Sequence, residues 1–102
     1  FALSDEVRMF AANLLQNATD HVDELDELAA AMAKNWSWNR IARIDRLILR
    51  LALAEMLFIE EIPVRVSIDE AIELAKSYST DKSYSFVNGV LDGVVRQKGL
   101  AV

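Results

Sequence analysis

At 102 residues the chain is long enough for one domain with a core of its own. A hydrophobic content of 53 %, with only three glycines and one proline, excludes disorder and an all-β fold. The absence of cysteine excludes disulfides and thiolate chemistry and fits a cytoplasmic setting, and a net charge of −5 argues against a chain that grips nucleic acid by charge alone.

Ser4 reads as a helix N-cap, with Asp5 and Glu6 in the first turn where the helix dipole favours anions. Val7, Phe10, Leu14, Ala18, Val22, Leu25, Leu28 and Met32 then recur at a helical period, which predicts one long helix to about Ala33. The alternative is two helices broken near Thr19–Asp20. Asn35 to Ile44 is a connector with a helical turn capped by Ser37 and stapled by Trp36 and Ile41. Asp45 to Ile59, DRLILRLALAEMLFI, is a helix apolar around its whole circumference, expected to be central and buried on all sides, with Asp45 as its cap. Only Arg46, Arg50 and Glu55 interrupt it.

The central helix must end before Pro63. Ile62–Val66 is expected to be extended, and Ser67-Ile68-Asp69-Glu70 has the capping-box pattern of a helix start. After a polar turn at Ser77–Asp81, a last helix runs from about Lys82 to Lys98 and stops at Gly99. Gly89 and Gly93, four apart, would let a neighbouring backbone approach that helix. The expected fold is an all-α bundle in a single domain spanning 1–102, with a long first helix over 1–34 and a C-terminal helical part over 35–102.

Several residues invite a chemical reading. His21 with Asp20 and Glu24 offers too few ligands for a metal and reads as a solvated helix edge. Asp69/Glu73 and Glu60/Glu61 read as solvating charges. No nucleotide, nucleophile-elbow or zinc pattern is present, so neither an autonomous enzyme nor a cofactor is expected. Arg40, Arg43 and Arg46 behind Trp36 and Trp38 combine phosphate-binding guanidiniums with stacking indoles. The competing reading has both tryptophans anchoring the connector in the core while the arginines balance the acidic first helix. Arg50, Glu55, Glu70 and Asn88 are expected to form one polar network between helices, since buried polar groups need partners.

Four pieces resemble the NusB family of bacterial transcription antitermination proteins. They are Ile48-Leu49-Arg50-Leu51-Ala52 with Glu55; Ile62-Pro63; Ile68-Asp69-Glu70-Ala71-Ile72-Glu73-Leu74-Ala75-Lys76; and Phe86-Val87-Asn88-Gly89-Val90-Leu91-Asp92. Their order and spacing cover roughly the last three-fifths of the chain. The resemblance implies an all-helical fold of two subdomains and binding of boxA RNA together with the ribosomal protein NusE. It implies no enzymatic activity, although a related domain precedes some ribosomal RNA cytosine methyltransferases.

Family members begin with two further helices and an arginine-rich RNA-binding segment, whereas this sequence starts at Phe1 near the third helix and reads as an N-terminally truncated piece of a longer chain. Many members have Glu-Asp-Ser where this chain has Asp81-Lys82-Ser83. Arg40, Arg43 and Lys82 are left as the candidate RNA contacts. The missing helices would leave Val7, Phe10, Leu14 and Ala18 uncovered, which predicts contact with a second copy, as a homodimer, or with an absent segment. A self-associating helical module without RNA binding is the remaining alternative.

Overall fold

The computed structural model describes residues 4–34 and 36–102. Phe1 and the start of the connector at Asn35 lie outside them. All regular structure among the described residues is helical: α1 (Asp5–Asp20), α2 (Val22–Met32), a 3-10 turn (Trp38–Arg40), α3 (Arg43–Phe58), α4 (Val64–Tyr78) and α5 (Ser83–Lys98).

The first helical run is divided at His21, whose backbone (φ −118°, ψ 20°) leaves helical geometry for one residue. Hydrogen bonding continues across the bend, from the His21 N–H to the Asn17 carbonyl and from the Leu25 N–H to the His21 carbonyl. This is why the apolar period keeps its phase. The single long helix of the sequence reading is therefore two helices, broken next to the alternative site at Thr19–Asp20. The cause is tertiary: the His21 ring stacks on Phe58 at the end of α3, with centroids 4.1 Å apart. His21 is half-buried there, with Nδ1 2.9 Å from the Asn17 carbonyl, and is not a solvated edge.

α3 is the central element. Leu49, Leu53 and Ala54 have no solvent exposure, and α1, α2, α4 and α5 all pack on this helix. It is not enclosed on every side, however. Arg43 and Leu47 are exposed and Leu51 is half-buried. These positions are four apart, so they form one open seam along the cylinder.

α4 starts earlier than its capping-box pattern suggests. Pro63, with φ −59°, sets the first turn, and its carbonyl accepts from the N–H groups of Val66 and Ser67. Ser67 is thus inside the helix and buried. Its hydroxyl turns away from its own backbone and donates to Glu55 Oε1 of α3 at 2.5 Å. Asp45 likewise does not cap α3; Ala42 holds that position, and Asp45 is buried in the first turn.

α5 ends at Gly99, whose φ of 64° is the left-handed geometry that stops a helix with least strain in glycine. Only one of the two helical glycines serves close packing. A Cβ on Gly93 would lie 2.6 Å from Met32 Sδ of α2, whereas one on Gly89 would meet nothing within 4 Å.

Candidate nucleic-acid interface

Three polar clamps tie the bundle together, and they replace the single network expected from the sequence. Arg50 reaches Asp26 of α2 with two hydrogen bonds, Nε to Oδ1 at 2.6 Å and Nη2 to Oδ2 at 2.7 Å. The Arg50 pKa is raised from its ordinary value, first by that side-chain hydrogen bond and then, against a desolvation effect, by the Asp26 charge. Glu55 takes the Ser67 hydroxyl. Glu70 is exposed on α4, and Asn88 is half-buried on α5 without a hydrogen bond to any of the other three. The four residues point to different neighbours because α3 presents Arg50 and Glu55 nearly opposite each other.

Arg50→Met is accordingly expected to lower stability by about 1–2 kcal/mol, the range for a half-exposed charge-assisted pair. A double-mutant cycle with Asp26→Asn should show coupling, and one with Glu70→Gln should show none. Chemical denaturation of the six proteins measures both.

The third clamp is at the end of the molecule where α4 turns into α5. Ser79 Oγ donates to Asp45 Oδ1 at 2.7 Å and Ser83 Oγ donates to Asp45 Oδ2 at 2.9 Å. Each hydroxyl has one proton. With both used on Asp45, the Ser79 and Ser83 oxygens, 2.8 Å apart, have no proton left to share, and Thr80 Oγ1, 2.9 Å away, donates to Ser83 Oγ. Asp45 lies in the first turn of α3 and against the first residue of α5, so two helix dipoles favour its charge.

This clamp forms the floor of a cleft of about 450 Å³. Trp36 and Arg40 of the connector make one wall, and Lys82 and Phe86 the other. Lys82 and Phe86 share a face because they are four apart on the start of α5. Trp36 is 63 % exposed and meets Phe86 edge-on, with ring centroids 5.8 Å apart. The reading in which both tryptophans are core anchors fails for Trp36. Trp38 is the one packed against the core.

The structure brings Arg40 and Lys82 to this cleft together. Arg43 is exposed on the first turn of α3 and does not line it. Phe86 adjoins the apolar stripe of α5 and is half-buried, so its i, i+4 relation to Lys82 is the signal in the sequence that places it in the cleft. The only carboxylate in the lining, Asp45, is buried and engaged by serines, so the accessible charge of the cleft is positive on an acidic chain.

The other candidate groups are not assembled into sites. Among the described residues no three metal-ligating side chains cluster. Asp69, Glu70 and Glu73 border a shallow depression on the exposed side of α4. No described helix is long and apolar enough to cross a membrane. Of the uncovered face expected on α1, Val7 is 48 % and Phe10 38 % exposed, while Leu14 and Ala18 pack against the core.

A bundle wrapped on one central helix, with a cationic and aromatic cleft at the end where its connector meets its last helix, defines the class: an all-α helical domain. Within that class the chain belongs to the NusB family, whose family model matches residues 1–96. It is 49 % identical over 85 residues to the transcription antitermination protein NusB of Bacillus subtilis (strain 168), covering 83 % of this chain and 65 % of that protein. It is 50 % identical over 96 residues to the protein of the same name from Gloeobacter violaceus, covering 92 % of this chain and 46 % of the relative. The solved structure of Thermotoga maritima NusB superposes with a TM-score of 0.87 at 38 % identity, covering 92 % of this chain and 66 % of that one. The chain spans between 44 % and 65 % of the length of such curated relatives.

Proposed function

We propose that this domain is a protein- and RNA-binding module of transcription antitermination that acts on boxA-type RNA in company with NusE. The observation that carries the reading is the cleft in which Arg40 and Lys82 flank the Trp36–Phe86 pair. Guanidinium and ammonium groups take phosphates, and aromatic faces stack on unpaired bases. Two cations on a chain of net charge −5 supply little affinity alone, which favours an RNA complex completed by a basic partner. Names of the relatives support antitermination as the process.

Gel shifts with boxA-like RNA across a salt series, with and without NusE, test this reading. Binding is expected only with NusE present. Arg40→Ala and Lys82→Ala should each weaken it and flatten the plot of log affinity against log salt by about 0.7. Arg43→Ala should do so less, since it stands outside the cleft. Failure of the partnered wild-type domain to bind RNA would overturn the reading.

Val7 and Phe10 are proposed as the surface where the domain meets a second copy or the portion of its longer relatives that it does not span. A patch of exposed apolar side chains on one helix supports this. Sedimentation velocity should show association that Phe10→Asp abolishes; a stable monomer at high concentration would exclude the second copy as occupant.

A further inference from the structure

α1 and α2 meet at a junction that is only partly bonded. The N–H groups of His21 and Leu25 bond back four residues, but those of Val22, Asp23 and Glu24 do not reach the carbonyls of Ala18, Thr19 and Asp20. Three rungs of one helix ladder are missing, and no side chain caps the start of α2 in their place. Local sequence does not ask for this gap. Asp5–Met32 contains neither glycine nor proline, and its apolar period runs through His21 in phase.

What holds the bend is tertiary. The His21 ring stacks on Phe58 with the two planes 22° apart. Its Nδ1–H donates to the Asn17 carbonyl, which can only accept. Elsewhere α1 is lightly held: none of its residues is buried, and Leu14 and Ala18 pack against the core from its half-buried side. α2, by contrast, is anchored by buried Leu25 and Ala29 and by the Asp26–Arg50 clamp.

We infer that α1 is a hinged arm with two states. In the bent state it lies on α3, with His21 latched to Phe58. In the straight state His21 takes helical dihedrals, the three missing bonds form, and Asp5–Met32 becomes one rod about 42 Å long. The exchange sets backbone hydrogen bonds against one aromatic pair and the seat of Leu14 and Ala18, contributions of similar size. Straightening carries Val7 and Phe10 away from α3, so an occupant of that patch that also touches α3 selects the bent state. Neither state requires RNA.

The chain has no cysteine, so Arg8→Cys and Ala31→Cys, at exposed positions of α1 and α2, take spin labels at those two sites alone. In the straight state the two positions are about 35 Å apart, and in the bent state they are closer. Double electron–electron resonance on this pair should give one short distance. His21→Ala removes the latch and puts the strongest helix former at the junction. The straight-to-bent ratio should then rise about tenfold, the effect of losing one aromatic pair. Phe58→Ala should act in the same direction, whereas His21→Phe, which keeps a ring on Phe58, should not. Adding Leu14→Ala to His21→Ala should make the longer distance the main component. Amide exchange gives a second readout: Val22, Asp23 and Glu24 should exchange freely in wild type and gain protection in His21→Ala. An unchanged short distance in every variant overturns the hinge. So does loss of protection across Asp5–Asp20 with no gain at Val22–Glu24, because α1 then melts instead of swinging.

Discussion

Leu53→Ala is expected to lower the unfolding free energy by about 3–4 kcal/mol, from the transfer of the lost atoms and the cavity left behind. Leu53 has no solvent exposure and stands at the centre of α3, the helix on which every other helix packs. Surrounding helices are anchored by their own buried residues, including Leu25, Ile68 and Leu91, so they have little freedom to collapse into the space. For a domain of this size each kcal/mol moves the melting temperature by about 4–8 °C. The loss is a large part of a total stability of about 5–15 kcal/mol. Guanidinium unfolding should show a lower midpoint with an unchanged slope. Leu47→Ala is the control: Leu47 lies on the open seam of the same helix, 46 % exposed, and should cost much less. Equal costs at the two positions would mean that α3 is not held as described.

The contrast between Leu53 and Leu47 also marks what was legible in the sequence. Apolar density named α3 as the central helix, but it could not say which side stays open. That depends on where α1 crosses, and α1 is turned by the contact of His21 with Phe58, 37 positions away in the chain. Polar groups were misread for the same reason. Ser67 and Asp45 carry local cap patterns, and a cap is a bond to a neighbour a few residues off. Both residues instead bond across the bundle, Ser67 to Glu55 and Asp45 to Ser79 and Ser83. Arg50 was expected to pair outside its own helix, yet its partner, Asp26, was hidden among the acidic residues of α2. Where one structure-setting feature is local, as with Ser4, whose hydroxyl accepts from the Val7 N–H, or Gly99, sequence and structure agree.

The candidate site divides in the same way. Its cations stood out because Arg40, Arg43 and Arg46 cluster directly after an acidic first third, and Lys82 because it departs from the family pattern. Of its aromatic wall, Trp36 stood out as a stacking indole and Phe86 did not. Phe86 adjoins the buried Val87 in sequence, and only the packing of the connector on α5 shows that it meets Trp36 at the surface. Family resemblance rested on the same helices that build the core, so it located the fold better than it located the cleft.

Asp45→Ala should be the other severe substitution, lowering stability by about 2–4 kcal/mol, since each of the two hydroxyl bonds to a charged acceptor contributes about 1.5–3 kcal/mol and the turn relaxes in part. The position joins three helices: Asp45 is in the first turn of α3, Ser79 caps the end of α4, and Ser83 opens α5. Its loss also removes the anion that two helix N-termini face, and α5 has no side-chain cap to replace it. Asp45→Asn keeps the shape and one acceptor but sets an amide N–H₂ where one serine hydroxyl had a carboxylate oxygen to donate to, so about half the cost is expected. The Ser79→Ala/Ser83→Ala pair should couple to Asp45→Ala by about 1–3 kcal/mol, since either change alone strands the other's partners. Amide exchange at residues 79–83 should rise in Asp45→Ala beyond what global destabilisation explains. Because this turn positions Lys82, RNA affinity with NusE should fall as well, measured at a temperature where the variant is fully folded. The rival account has the turn held by its backbone alone, through the Ser79 N–H to the Ala75 carbonyl and the Ser83 N–H to the Thr80 carbonyl. On that account Asp45→Ala costs under about 1 kcal/mol, the level of an ordinary neutral hydrogen bond, and leaves both exchange and RNA affinity where they were.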